Sequence, residues 1–349
     1  MGSAVTTRLD DRRLGTSGPI GVALGPATDR LTGELVEAAM AGAADLGRDA
    51  RIVHPGDDQS HLGILLGIGY QGSFLPVFAA SPDCARVIWV GEALLLRDEP
   101  PGGPLTRIAR SSAMDYLKYP LRPFKDAPLP GLLARARASA TMERERARNL
   151  RELGKLARIV DRVVVTSRDR RAALLDYGLN AEAVPFGYSA AVAGPITPPD
   201  LGRRDLNFVS LGRLQSRIAR RRSIVELWRA EEPSLTVLDG VWGEERGDLL
   251  RRSKVVLNVA RTPGDFVGNR LVLAIAAGAV VVSEPMTDPF PFVAGVHFVE
   301  APLEGLLDAA RELHADEPRR QSIANAGQAL LTGELSMVRC LSRTLGLGV

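Results

Sequence analysis

The sequence predicts an α/β protein made of two Rossmann-like, doubly wound parallel-sheet domains that face each other across a cleft. Three observations carry that expectation. Short apolar, β-branched runs alternate with helix-forming stretches from residue 20 to residue 331, which is the pattern of βαβ crossovers feeding a parallel sheet. A stretch rich in proline and glycine and without periodicity, SAAVAGPITPPDLGRR at 189–204, splits the alternation into two halves. The chain of 349 residues also exceeds what one hydrophobic core usually organises.

In the first half, residues 20–24 read as a compact strand closed by Gly25-Pro26, followed by a helix over about 33–46. Residues 52–53, 62–68 and 87–90 are further apolar runs, each closed by glycine, proline or aspartate. Between 120 and 160 the pattern changes to a long Arg/Glu/Ala/Leu helix with charge partners at i,i+4. A strand at 163–166, a helix at 168–177 stopped by Gly178, and a short strand at 183–187 complete this half. The second half reads as strands at 208–211, 235–238, 255–259, 279–282 and 296–299, with helices at 219–230, 244–253, 270–277, 303–314 and 319–331. The expected organisation is a disordered tail at 1–18, a first Rossmann-like domain at 19–188, a linker at 189–205 and a second Rossmann-like domain at 206–332. A final helix within 333–349 is expected to pack back on the first domain.

Composition narrows the function class. A hydrophobic share of 45%, a charged share of 24% and a net charge of +3 describe an ordinary globular enzyme and argue against nucleic acid as a partner. Cys84 and Cys340 stand far apart, and the histidines, His54 and His61 among them, are scattered; neither a disulfide framework nor a metal site is expected. The first 18 residues lack an apolar core of the kind a secretory signal carries. The longest apolar run, 271–282, is too short to span a bilayer. A cytoplasmic location and no transmembrane span are the expectation.

The stretch VVLNVARTPGDFVGNRLVLAIAAGAVVVSE, residues 255–284, is laid out as strand, loop, short helix, strand. Turn residues at 262–265 break the first strand, Asn269 caps the helix and Gly278 ends it. A strand feeding a helix N-terminus through such a loop aims unpaired N–H groups and the positive end of the helix dipole at one spot, which suits a diphosphate. An ordinary βαβ turn has the same layout. A second candidate is Gly67-Ile68-Gly69-Tyr70-Gln71-Gly72, a literal G-x-G-x-x-G with Glu92 a further 20 residues on, the spacing of a dinucleotide fingerprint. It implies an NAD(P)-dependent oxidoreductase. Against it, at least two strand candidates come earlier, and Ser73-Phe74-Leu75-Pro76 is a poor helix start.

Four segments fall in a telling order: Val184-Pro185-Phe186-Gly187, Phe208-Val209-Ser210-Leu211-Gly212-Arg213, the unit ending Leu273-Ala274-Ile275-Ala276-Ala277-Gly278, and Asp316-Glu317-Pro318-Arg319. The series is similar to the GT-B glycosyltransferases, and within them to the spore-coat-type branch of the group 1 family. The resemblance covers about 160–330 and rests on order and spacing rather than on any single motif. It implies a glycosyltransferase with a nucleotide-sugar site in the second domain, an unidentified small-molecule or glycan acceptor in the first, no cofactor, no obligatory metal, and retention at the anomeric carbon. A nucleotide-sugar-binding protein without catalysis is the other reading of the same pattern.

On the residues themselves, Gly212 lets the chain approach a ligand, Arg213 and then Arg217 are the arginines expected to meet the diphosphate, and Arg220, Arg221 and Arg222 crowd the same turn. Asp239 and Gly240 end the next strand, where open α/β sheets bind ligands. The resemblance places a carboxylate at Asp265 beside the sugar, the family glycine at Gly268, and Asn269 with Arg270 at the diphosphate. The family's second glutamate, eight positions after the first, is replaced here by Leu273. Arg270, Asn258 or Glu284 are the residues that could compensate. In the first domain Trp89 and Glu92 end a strand facing the proposed cleft, with Glu92 the candidate general base; Asp115 and Tyr116 are left undecided.

Overall fold

Six short strands pair in parallel to form the first sheet: β1 (Ile20–Ala23), β2 (Ala50–Val53), β3 (Ile64–Ile68), β4 (Ala85–Val90), β5 (Arg162–Val165) and β6 (Glu182–Ala183), in the order β2-β1-β3-β4-β5-β6. Five more form the second: β7 (Leu206–Leu211), β8 (Leu235–Leu238), β9 (Ser253–Asn258), β10 (Val280–Ser283) and β11 (Val299–Glu300), in the order β11-β10-β9-β7-β8 and again all parallel. Every residue of β3 and of β10 is buried. Helices cover both faces of such sheets, so their strands read as continuous apolar runs rather than as alternation. The computed structural model describes residues 18–23, 30–69, 74–80, 83–91, 150–200, 204–212, 214, 219–260, 263–266 and 268–347. The expected tail at 1–18, apart from Gly18, and most of the Arg/Glu-rich helix lie outside the described residues, as do Asp115 and Tyr116.

The helices follow their strands: α1 (Arg30–Asp45), α2 (Phe74–Ala79) and α3 (Arg168–Asp176) in the first domain, then α4 (Ala190–Ala193), then α5 (Ala219–Glu231), α6 (Gly243–Arg251), α7 (Gly268–Ala276), α8 (Leu306–Ala315) and α9 (Glu317–Thr332) in the second. The start of α9 is set by Asp316, whose Oδ1 accepts the Arg319 N–H at 3.0 Å, with proline in the first turn. The last helix, α10 (Met337–Leu345), returns to the first domain and packs on α1 and β4. Its entry is fixed by backbone bonds, Tyr188 N–H to Leu335 C=O and Met337 N–H to Tyr188 C=O, both 2.7 Å.

Several local expectations are corrected. Residues 74–79 are helical despite Pro76, because a proline in the first turn removes only an N–H that has no helical partner. The strand expected over 183–187 shrinks to Glu182–Ala183; Val184 still bonds Val165, but Pro185 brings no donor to the ladder. The strand expected over 296–299 gives way to a turn, in which Val296 and His297 both bond the Val293 carbonyl, and the ladder with β10 takes Val299 and Glu300. The linker stretch carries one helical turn, α4. Helix α7 starts at Gly268, so Asn269 lies inside it rather than capping it.

Candidate functional site

Because each sheet is parallel, the C-terminal ends of its strands share one edge, and the loops leaving that edge build the site. In the second domain the edge presents Gly212 after β7, Asp239 and Gly240 after β8, the segment Val259 to Asp265 after β9, and Glu284 after β10. In the first it presents Gly69 after β3, Gly91 after β4 and Arg168 after β5. The two edges meet. Arg168 reaches across to Asp288 with Nε–Oδ2 2.9 Å and Nη2–Oδ1 2.7 Å, and stacks 4.2 Å over the Phe290 ring. At the other end of the junction, Arg246 of α6 holds Glu34 of α1 at 2.9 Å, and the Gly243 N–H reaches the same carboxylate at 3.4 Å.

Within the second domain the charged side chains converge on the exit of β9. The Val259 carbonyl accepts from Arg221 Nε at 2.9 Å and from Arg270 Nη1 at 2.7 Å. The Ala260 carbonyl accepts from Arg220 at 3.0 Å, and the Ala260 N–H donates to Glu284 Oε1 at 2.5 Å. Glu284 in turn takes both arms of Arg220, at 3.0 and 2.6 Å. Asp265 is buried and close enough to Arg270 to act on its titration. Burial first, and then the neighbouring Arg221, hold the Arg270 guanidinium well below its ordinary value, against the opposing pull of Glu284 and Asp265. Three arginines and two carboxylates thus share a desolvated corner beside the N-terminal turn of α7.

Gly212 adopts φ +134°, a backbone conformation that side-chain-bearing residues rarely take, and an added Cβ would lie 2.8 Å from Arg221 Nη1. Asp239 is tied into the neighbouring loop: its Oδ1 accepts the Leu214 N–H at 3.1 Å, and Gly240 turns the chain behind it. Gly268 opens α7 under the Phe266 ring, which would stand 2.5 Å from any Cβ there. The structure therefore gathers Gly212, Asp239, Gly240, Asp265, Gly268, Asn269 and Arg270 at one edge. Arg213, Arg217 and Glu92 lie outside the described residues.

Other expectations change. Trp89 does not face the cleft: it is fully buried, donates Nε1–H to the Val184 carbonyl at 2.8 Å and packs 4.5 Å from Phe186, because β4 is a central strand covered on both faces. Gly67 and Ile68 of the literal G-x-G-x-x-G are paired residues inside β3 rather than a turn after a first strand, which removes the geometry a dinucleotide fingerprint needs; Gly69 follows at φ +107°, and Gly72 and Glu92 lie outside the described residues. His54 and His61 are exposed loop residues. Of the residues that could compensate for Leu273, Asn258 donates to Ser283 Oγ at 2.7 Å and Glu284 binds Arg220 and the Ala260 N–H. Leu273 itself lines an apolar crevice between the domains with Leu31, Leu35, Phe186 and Val192. Sequence reasoning treated Arg220, Arg221 and Arg222 as a basic face and missed that all three bind backbone carbonyls, the last Leu214 at 2.8 Å. One signal was available, three cations in the first turn of a helix that has no acidic residue there.

Comparisons with known proteins agree with the fold. Residues 203–344 match the model of a family described as glycosyl transferase-like. No curated protein matches the sequence. Among solved structures, HepE from Anabaena in complex with UDP and glucose superposes with a TM-score of 0.56 at 12% identity, covering 93% of this chain and 98% of that one. Sucrose-phosphate synthase from Thermosynechococcus elongatus gives 0.55 at 12% identity, over 93% and 97%. A glycosyltransferase from Rickettsia africae gives 0.50 at 11% identity, over 95% and 97%.

Proposed function

We propose that the protein is a glycosyltransferase that moves a sugar from a nucleoside-diphosphate sugar held by the second domain to a small-molecule or glycan acceptor held by the first, a reading supported by the glycosyl transferase-like match over residues 203–344 and by the GT-B fold. The carrying observation is the buried Arg270 at the start of α7, whose cation is penalised by burial and by the neighbouring Arg221. Among the described residues, Arg220, Arg221 and Arg270 gather there with Glu284 and Asp265. A diphosphate against the first turn of α7 meets this positive charge and N–H groups that no helical carbonyl takes up. That a neighbour of the same fold holds UDP and glucose supports the same reading.

In this reading Gly212, Asp239, Gly240, Gly268, Asn269 and Arg270 contact the donor, with Arg213 and Arg217 from the loop after β7. As the sugar–phosphate bond breaks, negative charge grows on the leaving diphosphate, and Arg213 and Arg270 with the α7 N–H groups stabilise it. Asp265 holds a sugar hydroxyl or offsets positive charge at the anomeric carbon, and Glu92 takes the acceptor proton. Positive charge at the leaving group comes from arginine, so we read the transfer as independent of a metal; the family resemblance carries the reading of retention, in which the acceptor oxygen attacks the anomeric carbon on the face from which the diphosphate departs.

The experiment is a thermal melt with UDP, GDP and NADH, followed by assay of donor hydrolysis. Stabilisation by UDP or GDP and not by NADH, with slow release of sugar from the matching nucleotide sugar, is expected. Stabilisation by NADH alone would sink the proposal, and nucleotide binding with no release under any acceptor would leave a binding protein rather than an enzyme.

A further inference from the structure

Helix α5 opens with three arginines, Arg220, Arg221 and Arg222, and no acidic residue stands in its first turn. Cations at a helix N-terminus oppose the macrodipole and cost stability there. A sequence keeps such a violation where something else offsets it. Here the offset is visible in the contacts. Arg220 binds the Ala260 carbonyl and Glu284, Arg221 binds the Val259 carbonyl, and Arg222 binds the Leu214 carbonyl at 2.8 Å. These partners belong to three separate loops at the same sheet edge, those after β7, β9 and β10.

We propose that the first turn of α5 is a brace that positions the donor site, with the Arg220–Glu284 pair as its centre. Both backbone groups of Ala260 end on this pair, the C=O on Arg220 at 3.0 Å and the N–H on Glu284 at 2.5 Å. Ala260 stands just before the loop that carries Asp265 and leads into α7, so fixing it presets the carboxylate and the helix N-terminus before any ligand arrives. The pair is almost dry, with side-chain exposures of 15% and 5%, so its two charges are strongly coupled and neither has water to replace the other. Arg220, Arg221 and Arg222 are positioning residues, and the diphosphate is left to Arg270 and the loop after β7. This inference rests on the donor reading for what the brace serves, but not for the brace itself.

The test uses Arg220→Gln, Glu284→Gln, their double variant and Arg220→Lys in the full chain, with Arg229→Gln on the exposed last turn of α5 as the control. Two readouts are taken: hydrogen exchange of the Ala260 amide, and affinity for UDP and GDP. Exchange at Ala260 should quicken at least about tenfold in both single variants, the double variant should add little to either, and Arg220→Lys should recover part of the protection. Nucleotide affinity should fall at least about tenfold in the same variants and hold in the control. Unchanged exchange at Ala260 overturns the brace. Quickened exchange with full nucleotide affinity overturns its positioning role and leaves a stability device. If the wild-type protein ignores both nucleotides, the donor reading fails, and the exchange result still decides whether the brace exists. Where Glu284→Gln fails to fold, Arg220→Lys carries the test.

Discussion

Arg168 and Asp288 join the two domains through a two-armed ion pair at 2.9 and 2.7 Å, with the guanidinium lying over Phe290. Each residue starts at the C-terminal edge of its own sheet, so the pair spans the cleft between the domains.

The Asp288 carboxyl is held below its ordinary value, chiefly by the Arg168 hydrogen bonds. The sign follows from linkage: a carboxylate whose folded value is depressed contributes stability above the unfolded value and loses it as pH falls through the folded value. Thermal melts should therefore show an acid-side loss of stability, beginning near about pH 4, that is smaller in Asp288→Asn. Arg168 is half exposed, so salt should weaken the pair as well. Identical acid profiles for the two proteins would show that the pair adds nothing to how the domains are joined.

Gly212→Ala should cost about 1–3 kcal/mol of stability, since φ +134° is strained for alanine and the new methyl meets Arg221 Nη1. Arg221 can yield only by giving up the Val259 carbonyl. Denaturant unfolding measures the loss; a variant as stable as the wild type would show that the loop after β7 is freer than described.

Arg270→Met separates stability from function. The cation is costly where it stands, so the ligand-free variant should melt at or above the wild-type temperature, while stabilisation by UDP or GDP should be lost. Full retention of nucleotide stabilisation would take Arg270 out of the donor site.

Arg213→Ala and Asp265→Asn should each lower turnover at least about tenfold with the fold intact. Steady-state kinetics beside circular dichroism checks this, and near-wild-type turnover in both would refute the assignment of the catalytic residues.

Much of the fold was legible because buried parallel strands leave a plain signature. The apolar runs at 20–24, 62–68, 208–211 and 255–259 hold the strands Ile20–Ala23, Ile64–Ile68, Leu206–Leu211 and Ser253–Asn258. What failed depended on neighbours that periodicity does not report. Val296 is apolar but sits in a turn fixed by the Val293 carbonyl, and Trp89 ends a strand yet points into the core because β5 and Phe186 cover it. The strand, loop, helix, strand layout of 255–284 was readable from turn residues and helix formers. The roles of Arg220, Arg221 and Glu284 were not, since their partners are carbonyls and an amide about 24 to 64 positions away. Leu273 was visible as a departure from the family pattern, and only the structure shows it facing an apolar seam between the domains.

The central claim is that the donor diphosphate rests on the first turn of α7. A crystal structure with UDP or GDP tests it most directly. The account predicts phosphate oxygens within hydrogen-bond distance of the N–H groups of Gly268 or Asn269 and of Arg270, on the side of the cleft opposite Gly69. A nucleotide bound instead at Gly69 and the end of β3, with the start of α7 bare, would contradict it.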